Sequence, residues 1–232
     1  MDEMLQAAPL ARTRQEALPP LENGDHLTRA EFERRYAAQP HLKKAELIEG
    51  VVYVPSPVSL THSRLHAAVM AWLGTYWAST PGLELFDNAT VILDRENEVQ
   101  PDAALCVARG GQTKASGNYL QGAPELIVEV AATSAAYDLH EKLRVYRRSG
   151  VREYVVLLAQ EQQTIWHRLN EGRYDTVTAD EDGVIRSEVF PGLHFRPDLF
   201  WADDLAGLLS ALQVGLATAE HKSFVELLAQ AS

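Results

Sequence analysis

The 232-residue chain predicts an α/β fold, a mixed β-sheet flanked by helices, and three observations carry that expectation. Residues 62–79 place Leu65, Val69, Trp72, Leu73 and Tyr76 at helical spacing. Residues 126–128 read Leu-Ile-Val without interruption, the pattern of a strand buried on both faces. Along the chain the expected elements run helix, hairpin, helix, several strands, helix, strands, helix.

Each element has a local cause. Residues 1–25 are rich in Ala, Pro, Glu and Arg without a period and read as a loose N-terminal arm. Thr28 with Glu31 resembles a capping box that opens a short helix to about residue 37. Residues 45–48 and 51–54 flank Glu49-Gly50, a hairpin with a tight turn, and Pro55-Ser56-Pro57 ends it. Thr61 is placed to cap the helix over 62–79, and Pro81-Gly82 stops it. Short strands are expected over 83–86 and 90–93, a polar turn over 94–98 and a further strand over 99–107. Residues 109–123, rich in Gly, Ser, Lys and Gln, read as a long flexible loop. A buried strand over 125–130 is followed by a helix over 138–149, with Leu139, Leu143 and Tyr146 on one face and Gly150 just past its end. Strands over 153–158 and 164–168 follow, residues 174–177 and 184–189 extend the sheet, and Phe190-Pro191-Gly192 turns. The tail over 203–228 reads as one helix with Leu205, Leu208, Leu209, Leu212 and Leu216 on a stripe. The expected division is an arm over 1–25, a main domain over 26–200 and a C-terminal helix over 201–232.

Composition narrows the function. Twenty-one basic against thirty-two acidic residues give a net charge of −11, which favours solubility and does not advertise a nucleic-acid partner. Phosphate contacts would therefore need a local basic face. The densest is Lys142, Arg144, Arg147, Arg148 and Arg152, with Lys114 as a further candidate backbone contact. The plain alternative is a solvated helix face offset by Glu141 and Glu153. The single cysteine, Cys106, lies in an apolar run and excludes an internal disulfide. No apolar stretch approaches a membrane span and the N-terminus lacks a signal-peptide pattern, so the expected location is cytoplasmic. Neither a phosphate-cradling Gly-rich loop nor a nucleophile elbow occurs, which disfavours P-loop and serine-hydrolase chemistry.

Three polar residues stand out from apolar surroundings. Asp102 follows Pro101 beside an apolar run, where a carboxylate is costly unless paired or metal-bound. Pro-Asp alone is a weak signal, because Pro197-Asp198 repeats it. Glu129 follows Leu126-Ile127-Val128, and an acid in such a strand is rarely there for packing. Lys142 sits beside the buried stripe of the next helix; its plain alternative is a pair with Asp138 one turn earlier. Two carboxylates and a lysine are what a metal-dependent phosphodiesterase requires: the acids hold a hard divalent cation and the lysine orients or activates water. His62 and His66, one turn apart, have zinc-ligand spacing but lack a third ligand and read better as ordinary helix histidines.

The ordered set Pro101-Asp102, Glu129-Val130, Tyr137-Asp138-Leu139-His140-Glu141-Lys142-Leu143, Tyr146 and Gly150-Val151-Arg152-Glu153-Tyr154 resembles the Uma-type family of restriction endonucleases, within the PD-(D/E)XK nuclease superfamily. Ala45-Glu46-Leu47-Ile48-Glu49-Gly50-Val51-Val52 and His62 resemble its N-terminal signature, so the likeness spans about residues 28–199. The resemblance implies a restriction-endonuclease-like mixed-sheet core, Mg²⁺ or Mn²⁺ held by Asp102 and Glu129, and Lys142 as the catalytic lysine. It also implies Glu46 as an assisting acid, DNA as substrate and a homodimeric state. The superfamily's usual lysine position, two residues after the acid, is Ala131, so the lysine must come from the helix. The family's Ser-Pro-Ser stretch is replaced by Ala131-Ala132-Thr133-Ser134. The competing reading is an inert or repurposed nuclease fold serving as a binding module, which the acidic charge and this altered stretch favour.

Overall fold

The computed structural model describes residues 18–55, 57–132 and 138–230. Ser56, the stretch after Ala132 through Tyr137, and most of the expected N-terminal arm lie outside the described residues. Helix α1 (Arg29–Ala37) begins where Thr28 accepts the Glu31 N–H. The Glu31 carboxylate pairs with Arg34 and Arg35. Strands β1 (Glu46–Ile48) and β2 (Val51–Tyr53) form the expected hairpin. Its two turn residues, Glu49 at φ 51° and Gly50 at φ 75°, take the left-handed conformations of a type I′ turn. The described part of the arm lies against β2: the Gly24 N–H donates to Val52 O and the Val52 N–H to Asp25 O.

Helix α2 (Leu60–Ala78) buries the five apolar residues expected of it, but its cap is Ser59, whose hydroxyl accepts the His62 N–H, and not Thr61. β3 (Leu83–Asp87) and β4 (Val91–Ile92) follow. The strand expected over 99–107 is two strands, β5 (Glu98–Val99) and β6 (Ala103–Val107), in different sheets. Pro101 cannot donate to a ladder, so the chain leaves one sheet there and enters the other. The expected flexible loop over 109–123 contains the hairpin β7 (Lys114–Ser116) and β8 (Tyr119–Gln121). Its polar composition reads as loop because both β7 and alternate positions of β8 face water, while Leu120 alone reaches the core.

β9 (Leu126–Ala131) is buried throughout. The helix expected over 138–149 opens as a π-helical turn, Asp138–Lys142, and continues as α3 (Leu143–Ser149), closed by Gly150 at φ 91°. β10 (Glu153–Leu158), β11 (Gln163–Asn170) and β12 (Arg173–Val177) complete the larger elements. The strand expected over 184–189 shortens to β13 (Ile185–Arg186), paired with the unforeseen β14 (His194–Phe195). A short helix α4 (Pro197–Trp201) was also not expected. The tail is two helices, α5 (Leu205–Leu216) and α6 (Ala219–Gln230), where one was expected.

The strands form two six-stranded sheets, ordered β2-β1-β5-β4-β8-β7 and β12-β11-β10-β9-β6-β3. In the second sheet β9 runs parallel to β10 and antiparallel to β6. Its two faces are both buried, which is why β9 and β10 read as unbroken apolar runs. Leu126, Val128, Val130, Val155 and Leu157 face the cluster made with α2, α4, α5 and α6. Ile127, Ala131, Tyr154, Val156 and Leu158 face the opposite cluster, with Ile48 and Val99 of the first sheet and Val145 and Tyr146 of α3. By the two-residue period, Glu129 lies on this second face.

Candidate active site

Four sequence-distant elements bring their polar residues to that face. Strand alternation turns Glu46 to the same side of β1 as Ile48, toward the larger sheet. The Glu46 carboxylate takes the Gln100 N–H at 2.7 Å, which fixes the segment where the chain crosses between sheets. Glu129 projects from the middle of β9, and the π-helical turn delivers Asp138 and Lys142 from above. All are nearly inaccessible: Glu46, Asp102, Glu129 and Lys142 are each 3% exposed and Asp138 is 2% exposed.

Lys142 is the hub. Its Nζ lies 2.8 Å from Glu129 Oε1, 3.1 Å from Glu46 Oε2 and 3.5 Å from Asp138 Oδ1. The Tyr146 hydroxyl donates to the same Glu129 oxygen at 2.9 Å, so two donors orient that carboxylate. The helical-neighbour pairing with Asp138 and the site contact with Glu129 therefore both hold. Burial pushes the Glu129 carboxyl up to about 8; Lys142 opposes this, while the charges of Asp102, Asp138 and Glu46 add to it. Burial also raises the Tyr146 hydroxyl well above its ordinary value, keeping it a donor.

Asp102 stands at the entry to β6. Its Oδ2 accepts the Val130 N–H at 2.8 Å, so the side chain continues the β6–β9 ladder next to Glu129. Its Oδ1 faces Lys44 Nζ at 3.5 Å and His62 Nε2 at 3.6 Å. His62 Nδ1 contacts Val130 O at 2.9 Å, and His66 Nε2 contacts Asp102 O at 3.0 Å. Thus the two α2 histidines brace the backbone on either side of the carboxylates.

Sequence reasoning did not single out Lys44 or Tyr146. Lys44 carried a usable signal, since it stands two residues before Glu46 and shares its side of an extended segment. Tyr146 belonged to the family-like motif and to the apolar face of its helix, without a role at the site. Whereas Lys142 enters the buried cluster, Arg144, Arg147 and Arg148 of the basic stretch lie away from it. Arg144 and Arg148 reach Glu49 at 3.5 and 2.9 Å, and Arg147 donates to Gly172 O. The acid offsetting this face is Glu49 together with Glu141, and not the expected Glu153, which is buried against Arg168 and Ser187. Lys114 is exposed on β7, an edge strand of its sheet.

Among the described residues no group of three or more His, Cys, Asp or Glu side chains is arranged as a ready-made metal cage. The donor set nonetheless fits a hard divalent cation. Four buried carboxylates, Glu46, Asp102, Glu129 and Asp138, face two lysines, Lys44 and Lys142. Burial first, and then the neighbouring acids, raise the Glu129 carboxyl, and a cation bound there would oppose that shift. Magnesium needs only one or two carboxylates and completes its shell from water and substrate.

Residues 29–203 match the family model Uma2, described as "Putative restriction endonuclease". Among solved structures the chain is similar to a protein from Anabaena variabilis described as "a putative nuclease belonging to DUF820". The two are 12% identical, the match covers 77% of this chain and 97% of the other, and the TM-score is 0.54. At that identity the likeness shows a shared fold. No curated protein matches the chain.

Proposed function

The chain belongs to the Uma2 family, the one described as "Putative restriction endonuclease", and from that membership we propose that it is a divalent-metal-dependent endonuclease that hydrolyses phosphodiester bonds of DNA. The observation that carries the reading is the convergence of Glu129, Glu46 and Lys142 in one buried cluster, with Asp102 hydrogen-bonded to the residue that follows Glu129. A lysine committed to acids from two other elements is an expensive arrangement for packing alone.

In this reading Asp102 and Glu129 hold Mg²⁺ or Mn²⁺, and Glu46 assists from β1. The bound cation supplies electrophilic stabilisation of the charge that grows on the phosphoryl oxygens and lowers the pKa of water. Lys142 acts as an ammonium: donating to Glu129 and facing Glu46 and Asp138, it orients and polarises the attacking water rather than taking its proton. Tyr146 locks the Glu129 carboxylate in the orientation that Lys142 also requires. Arg144, Arg147, Arg148 and Lys114 supply backbone phosphate contacts from the surface, where Arg144 and Arg148 exchange Glu49 for phosphate. A cytoplasmic location and a homodimeric state belong to the same proposal. Among the described residues no helix is long and apolar enough to cross a membrane.

The test is cleavage of plasmid and linear duplex DNA in Mg²⁺ and in Mn²⁺ by the wild type and by Asp102→Ala and Glu129→Ala. Either substitution is expected to lower the rate by at least about a hundredfold, the scale of losing a principal charge-stabilising group. Unchanged cleavage in both variants removes the assignment. Light scattering decides the dimer: a molar mass equal to that of one chain refutes it.

A further inference from the structure

Two lysines reach this site, and their surroundings differ. Lys142 is 3% exposed and committed to acids on every side described above. Lys44 is 24% exposed, and its ammonium stands 3.5 Å from Asp102 Oδ1, a loose ion pair open to solvent. The extended segment that turns Glu46 inward places Lys44 two residues earlier on the same side, at the rim of the cluster. The neighbouring ring, His62, has its Nδ1 on the Val130 carbonyl, which can only accept, so Nδ1 donates there, and its Nε2 stands 3.6 Å from Asp102 Oδ1.

A strongly hydrated ammonium on a four-carbon stem, paired loosely and partly exposed, is suited to exchange partners. A divalent cation at Asp102 repels it, and a phosphate beside that cation attracts it. We propose that Lys44 is a phosphate-binding residue of the site: its ammonium pairs with Asp102 in the free protein and passes to a non-bridging oxygen of the bound phosphodiester when a divalent cation takes its place. This rests on the nuclease reading above. It makes Lys44 a competitor of the metal and a helper of the substrate, two effects of opposite sign that a merely structural lysine does not produce together.

The experiment uses the full chain as wild type, Lys44→Met, Lys44→Arg and Asp102→Asn. Mn²⁺ affinity is measured without DNA by electron paramagnetic resonance of the free ion. KM and kcat are measured on a labelled duplex at saturating Mn²⁺. Lys44→Met is expected to bind Mn²⁺ about threefold tighter or more, because a like charge beside the ligand oxygen is gone. The same variant raises KM more than it lowers kcat, and the slope of log KM against log salt falls by about 0.9, the value for one lost phosphate contact. Lys44→Arg stays close to wild type in both. Unchanged Mn²⁺ affinity with unchanged KM in Lys44→Met overturns the proposal, as does parallel weakening of both affinities with a lowered melting temperature. Wild type that binds Mn²⁺ no better than Asp102→Asn, or binds it and leaves DNA uncut, overturns the nuclease reading and this inference with it. Tighter Mn²⁺ binding with an unchanged KM and salt slope overturns the phosphate contact alone.

Discussion

A lysine held by carboxylates of two strands and its own helix is stable only as a set. In Lys142→Met, the acids Glu129, Glu46 and Asp138 keep their burial and lose their common cation. The expected cost at neutral pH is about 3–5 kcal/mol, read by urea denaturation, because breaking a buried ion network leaves uncompensated charge. Adding Glu129→Gln to that variant is expected to restore part of the loss. Additive destabilisation would show that the two side chains do not share their energetics. A second buried acid, Glu98, sits outside this cluster. Its Oε2 is buried with no hydrogen-bond partner among the described residues and stands 3.8 Å from Arg29 Nη1. Burial raises its carboxyl from 4.5 to about 7, with Glu33 adding to the shift. The folded state therefore binds this proton more tightly than the unfolded chain. Its contribution to stability is fully present below pH about 4.5 and is lost as pH rises through about 7. Glu98→Gln is expected to flatten the stability profile between those values and to gain on the wild type at pH 8; parallel profiles refute this. At this scale Glu46 was legible only through the family resemblance, and Asp102, Glu129 and Lys142 were legible because each departs from its local pattern. Tyr146 was not, because an aromatic on a buried helix face needs no further explanation from sequence.

Elements were legible where the backbone cause is local. The Glu49-Gly50 turn, the α2 stripe and the Gly150 stop all follow from dihedral preference or period. Caps were read less well, since two nearby hydroxyl residues, Ser59 and Thr61, compete for the role. Ser59 caps α2, so Ser59→Ala is expected to cost about 1 kcal/mol. Thr61→Ala, an exposed position within the helix, is expected to stay within about 0.5 kcal/mol of the wild type in the same thermal melts. Equal losses would contradict the assignment. The π-helical turn over Asp138–Lys142 lies where Asp138 and Lys142 enter the acid cluster. Nothing in its residues distinguishes it from the start of an α-helix. The 114–121 hairpin was hidden for the opposite reason, because an exposed edge ribbon has loop-like composition.

Across the molecule, the larger sheet is covered by helices on one face and by the second sheet with α3 on the other. The leucine stripe of the tail serves the first layer: Leu208 and Leu212 are fully buried with Trp72, Phe195 and Phe200. Leu208→Ala is expected to cost about 2–5 kcal/mol, while Val214→Ser, 66% exposed, is expected to be near neutral. A small loss at Leu208 would mean that α5 is not part of the folding unit. The break between α5 and α6 comes from close approach. A Cβ on Gly215 would stand 2.1 Å from Gly192 O, so α5 packs backbone to backbone there and the chain turns immediately after. The charge of −11 is spread over surface and site alike, and the basic face on α3 is already engaged by Glu49 and Glu141. The residues alone specified a buried mixed sheet with flanking helices and the charges that break its apolar pattern, because periodicity and misplaced charge are local properties. Three-dimensional packing settled the rest. It split one expected strand at Pro101 between two sheets, brought β1 and α3 over β9, and paired Lys44 with Asp102 and Lys142 with Glu129. Those outcomes depend on which faces meet across long sequence separations, and no local pattern encodes that.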